Sequence, residues 1–159
     1  MQKKIIAVLI AVLVIAAGIL ALVNRENSED KPGMIIMTVD KEISVAWDDI
    51  DAQAFEGDFV NGEGETSHHE YTGAELRVIL TDKGVEITDD NQVTVTAEDD
   101  YSADLTGSEI LEAGKVYVAL TEDGEMIEGI KGGQGAQLIV LGDPDRKRAV
   151  RYLNTVTVK

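Results

Sequence analysis

The chain has 159 residues, with 30 Asp and Glu against 14 Lys and Arg, a formal net charge of −16, and no cysteine. So acidic a chain lacks the basic face a nucleic-acid binder needs, and without cysteine it forms no disulfide, zinc–thiolate site, iron–sulfur cluster or thiol nucleophile. Apolar residues make up 44% and aromatics 4%, which predicts one domain of ordinary size with a mainly aliphatic core rather than a disordered chain.

Ile5 to Val23 run for 19 positions without a polar side chain, after Lys3 and Lys4 and before Asn24, Arg25 and Glu26. A helix of that length reaches about 28 Å, close to the roughly 30 Å hydrocarbon core of a bilayer. The two lysines before it, with Glu26, Glu29 and Asp30 after it, favour an orientation with the N-terminus in the cytoplasm. A cleaved signal peptide is the competing reading, with Ala16-Ala17-Gly18 as the cleavage site. Cleavage there would leave Ile19 to Val23 exposed, which favours an uncleaved anchor. Either reading puts the rest of the chain outside the cytoplasm. The expected organisation is a cytoplasmic tip (1–4), a transmembrane signal anchor (5–23), a polar linker (24–33) and an extracytoplasmic domain (34–159). The membrane is thus an expected partner through residues 5–23, and nucleic acid is not.

Within the domain, Met34 to Val39 and Ile43 to Trp47 read as strands around a turn at Asp40-Lys41. A short turn or helix follows at Trp47 to Ile50, then a loop through Gly57. Asn61-Gly62 is a hairpin signal, with Thr66 to Tyr71 returning as a strand. Thr72-Gly73-Ala74-Glu75 and Thr106-Gly107-Ser108-Glu109 both have capping-box spacing, each predicting a helix that starts there. Leu76, Ile79 and Leu80 continue the first at helical spacing, and Gly84 and Gly114 supply the stops. Gln92 to Ala97 alternates Val93, Val95 and Ala97 inward. Lys115 to Leu120 and Glu125 to Ile127 flank a turn at Glu122-Asp123-Gly124, and Ala136 to Leu141 and Leu153 to Val158 are further strands. The irregular interleaving, without a βαβ period, predicts an α+β fold with a mixed β-sheet or barrel-like core and short helices.

Few residues carry a chemical motif. His68 and His69 are adjacent on a strand, so they point to opposite faces and cannot readily share a metal; a surface role is expected for both. Acidic runs at Asp48-Asp49-Asp51, Asp89-Asp90, Glu98-Asp99-Asp100 and Asp143-Asp145 raise calcium, but none has EF-hand spacing, and solvated turns are the simpler reading. Gly129 to Gly135 (GIKGGQG) lacks the Lys-Ser/Thr ending of a phosphate loop and reads as a flexible loop or hairpin. Arg146-Lys147-Arg148 with Arg151 runs against the overall charge. That basic knot either holds an anion or pairs internally, Asp143 and Asp145 being the nearest acids.

Five segments in order resemble the oxidoreductase molybdopterin-binding domain, the fold of sulfite oxidase and its bacterial membrane-associated relatives. They are YTGAELRVILTDKGVE, VTVTAEDDYSADLTGSEIL, VYVALTEDGEMI, GGQGAQLIVLGD and RKRAVRYLNTVTV. Upstream, VDKEISVAWDDIDAQ with FEGDFVNGEGET is similar to the opening of small stand-alone members. The resemblance implies that fold, with Arg148 and Arg151 on the family's terminal basic positions and Tyr152 on its aromatic one. Lys147, Arg148 and Arg151 become the expected contacts to an anion or pterin phosphate. Gln137 stands where the family often has Arg, and Leu141 where it often has Pro. Family enzymes hold molybdenum through a cysteine sulfur before the first helix, where this chain reads NGEGETSHHEYTG.

The expectation is therefore a membrane-anchored, extracytoplasmic binding or assembly module that has lost the molybdenum ligand. It has no catalytic residue and no metal ligand, and its partner is an extracytoplasmic protein or a small anionic ligand. Molybdopterin is implied by resemblance only. The alternatives are a molybdopterin-dependent oxidoreductase with a non-thiolate ligand such as Ser67, and a calcium-dependent extracellular module.

Overall fold

A computed structural model describes residues 31–60, 63–143 and 145–159. The expected cytoplasmic tip and transmembrane segment, linker residues 24–30 and the Asn61-Gly62 turn lie outside the described residues. Among those that are described, no helix is long and apolar enough to cross a membrane. Pro32–Lys159 forms a compact unit by itself.

Alternating β-branched residues build its first sheet. Strands β1 (Gly33–Met37) and β2 (Glu42–Ala46) form a hairpin, and a single 3-10 turn at Trp47–Asp49 follows. The last strand, β10 (Leu153–Val158), lies parallel to β1 and antiparallel to β5 (Gln92–Ala97), which pairs in turn with β6 (Ser102–Thr106). The order is β2-β1-β10-β5-β6. One row of Cα partners, Ile43, Ile36, Val156, Val95 and Ala103, crosses all five strands. Such a row is what a period of two puts on one face.

The second sheet is antiparallel. It runs β3 (Gln53–Val60), β4 (Thr66–Glu75), β7 (Val116–Glu122) and β8 (Glu125–Met126), with β9 (Gln137–Val140) also beside β7. Two short helices, α1 (Leu76–Asp82) and α2 (Gly107–Leu111), complete the unit. The main core joins both sheets and α1, drawing on Ile36, Val95 and Val156 from one, Val118 and Leu138 from the other, and Leu76 and Leu80 from the helix. A second, aromatic cluster of Phe59, Tyr71, Ala119 and Ile139 takes in Phe55 and Tyr117 as well.

The unit is mostly β, with two sheets rather than one, and its helices are too short to form the layer of an α+β fold. Two further expectations fail. The loop through Gly57 is strand β3, because Phe55, Gly57 and Phe59 keep a two-residue period. The glycine leaves space that Leu141 fills, since a Cβ there would stand 2.8 Å from Leu141 Cδ2. Thr72 is not a helix cap. It sits in β4, with its hydroxyl against Thr121 Oγ1 at 2.6 Å, and Glu75 occupies the cap position without a capping hydrogen bond from its side chain. The second capping box forms as expected: Thr106 Oγ1 accepts from Glu109 N, and Glu109 accepts from Thr106 N. Gly84 and Gly114 end the helical segments with φ of 67° and 76°.

Candidate functional site

The chemistry-bearing side chains gather where β4 meets the β7–β8 hairpin. Between Thr72 and Gly73 the pairing with β7 slips by one residue, so Leu120 has no opposite number. That bulge reverses the alternation of β7 beyond it. Tyr117 and Ala119 belong to the aromatic cluster, and past the bulge Glu122 returns to the same face, where Tyr71 Oη donates to Glu122 Oε1 at 3.0 Å. The turn that follows places Asp123 at φ 53° and Gly124 at φ 80°, the left-handed pair that a two-residue hairpin turn requires.

His69 stands between the two acids. Its Nδ1 is 2.8 Å from Asp123 Oδ2 and 3.4 Å from Glu122 Oε1, and its Nε2 is 3.1 Å from Ser67 Oγ. The other oxygen of Asp123 accepts the Glu70 backbone N–H at 2.9 Å. That bond, followed by the contact with His69, holds the Asp123 carboxyl below the usual carboxylate range. Arg146 closes the far side, donating to Glu122 Oε1 at 2.8 Å and Tyr71 Oη at 2.9 Å, with its guanidinium 4.9 Å from the Phe59 ring centroid. Burial pushes the Tyr71 phenol up, so it stays a neutral donor. Among the described residues, His69, Glu122 and Asp123 are the group of three whose ligand atoms could hold one metal ion; none of the four acidic runs supplies such a group.

The two histidines do point to opposite faces. His68 is exposed and meets Asp58 at 2.8 Å, while His69 turns into the cluster. Sequence spacing could not pair His69 with acids more than fifty positions away. The hairpin signal at Asp123-Gly124 was readable, but the bulge that turns Glu122 inward was not.

Most of the basic knot is engaged internally. Arg148 makes a two-pronged contact with Asp143, through Nε at 2.8 Å and Nη2 at 2.5 Å, and reaches Glu109 Oε1 at 2.8 Å through Nη1. Those bonds raise its pKa further. Lys147 Nζ pairs with Asp145 at 2.6 Å, and its backbone carbonyl accepts from Tyr101. Arg151 is exposed and has no hydrogen-bonding or ionic partner among the described residues. It lines a cleft of about 540 Å³ with Gln137, Tyr152 and the carboxylates Glu122, Asp123, Glu125 and Glu128. The glycine-rich segment borders this cleft as a closed loop, pinned by Gln134 Nε2 donating to Leu120 O at 3.1 Å.

A molybdopterin does not fit this donor set. No thiolate is present to bind a soft metal. Arg148 is already satisfied, Gln137 is neutral where the family often has Arg, and carboxylates outnumber Arg151 around the cleft, an unfavourable field for a phosphate.

No protein-family model matches the chain, and no curated protein matches it. Among solved structures it is similar to the sulfane dehydrogenase SoxCD from Paracoccus pantotrophus, with a TM-score of 0.63 and 15% identity. The match covers 80% of this chain and 38% of that one. At this identity the likeness concerns the fold alone, and it agrees with the fold implied by the sequence resemblance.

Proposed function

We propose that this protein is a membrane-anchored extracytoplasmic module that keeps the molybdopterin-domain scaffold and uses it for non-redox binding or assembly. One observation carries the reading. Where the resemblance calls for a soft metal ligand and free cations, the chain has no cysteine, and Arg148 is held by Asp143 and Glu109. Replacing a thiolate by hard donors removes the ligation on which that redox site depends. Arg151, exposed and the free cation of the knot among the described residues, is the contact for a single acidic side chain of a partner protein, the four carboxylates that line the same cleft disfavouring a multiply charged anion.

The decisive measurement is elemental and pterin analysis of the full chain purified from its native host. Molybdenum well below one equivalent, with no pterin fluorescence after acid oxidation, is the expected outcome. Stoichiometric molybdenum would overturn the reading and favour the oxidoreductase.

A further inference from the structure

His69 Nδ1 faces two oxygens, Asp123 Oδ2 at 2.8 Å and Glu122 Oε1 at 3.4 Å. Ionised carboxylates only accept, so the ring nitrogen can serve both in two ways: by donating a proton, or by giving its lone pair to a shared cation. The three ligand atoms lie within 4.8 Å of one another. In a tetrahedral site with bonds of about 2.0–2.1 Å, ligand atoms stand about 3.3–3.4 Å apart. The His69–Glu122 edge already has that length. The His69–Asp123 edge has to open by about half an ångström, and the Asp123 side chain is half exposed.

The surroundings also hold the ligands in place. Ser67 Oγ contacts the ring's other nitrogen, the Glu70 N–H holds the second Asp123 oxygen, and Tyr71 and Arg146 both donate to Glu122 Oε1, the oxygen that faces His69, so an ion displaces one of these two donors or takes Oε2. Outer partners of this kind tune metal affinity. Arg146 offsets one of the two carboxylate charges, and Glu125 and Glu128 on the same cleft restore a negative field.

A separate observation points to a ligand in this cleft. Gln137 is only 2% exposed, and its side-chain amide has no hydrogen-bond partner among the described residues. No sealed side-chain polar atom lacks a partner, so the amide opens onto the cleft that Glu122 and Asp123 also line. Its amide is therefore available to a polar group of a ligand in that cleft.

We propose that His69, Glu122 and Asp123 bind one divalent transition-metal ion at the mouth of this cleft. One imidazole nitrogen with two carboxylates suits zinc, cobalt or manganese better than calcium or magnesium, which prefer all-oxygen shells. Three protein ligands leave at least one position for water or an incoming ligand. This site is distinct from a pterin-bound metal, and it stands or falls separately from the absence of molybdenum.

The test uses the untagged full chain in detergent, stripped with chelator and titrated with cobalt(II) by visible absorption and with zinc(II) by calorimetry. One equivalent is expected, with visible d–d bands and a melting temperature raised by the ion. His69→Ala and Asp123→Asn, each checked for native circular dichroism, should weaken binding by more than about tenfold. His68→Ala, on the opposite face of the strand, should leave it unchanged. A stripped wild type with no saturable binding overturns the proposal, as does a folded His69→Ala or Asp123→Asn protein that binds like wild type, or an equal loss in His68→Ala.

Discussion

Glu75 shows how a single side chain can have the right type for one role and serve another. Its spacing from Thr72 suggested a capping partner, yet its carboxylate takes Arg77 Nε at 2.5 Å and the Gly114 N–H at 3.0 Å. The hydrogen bond from Arg77, then that from Gly114, lowers its pKa below 4.5 against the opposing effect of burial. A depressed folded value means the stabilisation is complete above the unfolded value and disappears as pH falls through the folded one. Glu75→Gln should therefore cost below about 1 kcal/mol near neutral pH, because the Arg77 end is solvent-screened. Urea denaturation of both proteins should show this difference shrinking as pH drops below 4.5. A difference that does not shrink at all on acidification would place the effect in packing rather than charge.

The same lesson recurs at the scale of elements. Two Thr-x-x-Glu segments had equal claims as capping boxes, and only Thr106 forms one. Thr106→Ala should cost about 1 kcal/mol in denaturant unfolding. Thr72→Ala removes the bond to Thr121 across β4 and β7 and should leave the helical signal of α1 intact by circular dichroism. Gly107 inside the working box is packed hard, and a Cβ there would run into the Thr88 carbonyl oxygen. Gly107→Ala is expected to cost about 1–3 kcal/mol, the usual range for overpacking, although alanine is the better helix former. Strand β3 was hidden by its glycine and acids, since an inward Gly57 reads as a breaker until Leu141 is seen filling its place.

At the scale of the whole molecule, the last strand holds the first sheet together. β10 lies between β1 and β5, so the β1–β2 and β5–β6 hairpins share an edge only through it. Deleting residues 153–159 should abolish cooperative thermal unfolding, whereas trimming Lys159 alone should not. A truncated chain that still melts in one sharp transition would contradict this role. The sequence by itself determined the aliphatic core, most strand positions, one capped helix and the exclusion of thiolate chemistry, because composition and short-range periodicity suffice for these. Only the tertiary structure decided how the strands divide into two sheets, which of two like-spaced Thr-x-x-Glu segments caps a helix, and that Arg148 reaches Glu109 beyond the neighbouring Asp143 that the sequence already offered. It also brought His69 against Glu122 and Asp123. Each of these depends on groups far apart in the chain, and on one unpaired residue in β7 that turns a face around, which no local pattern encodes.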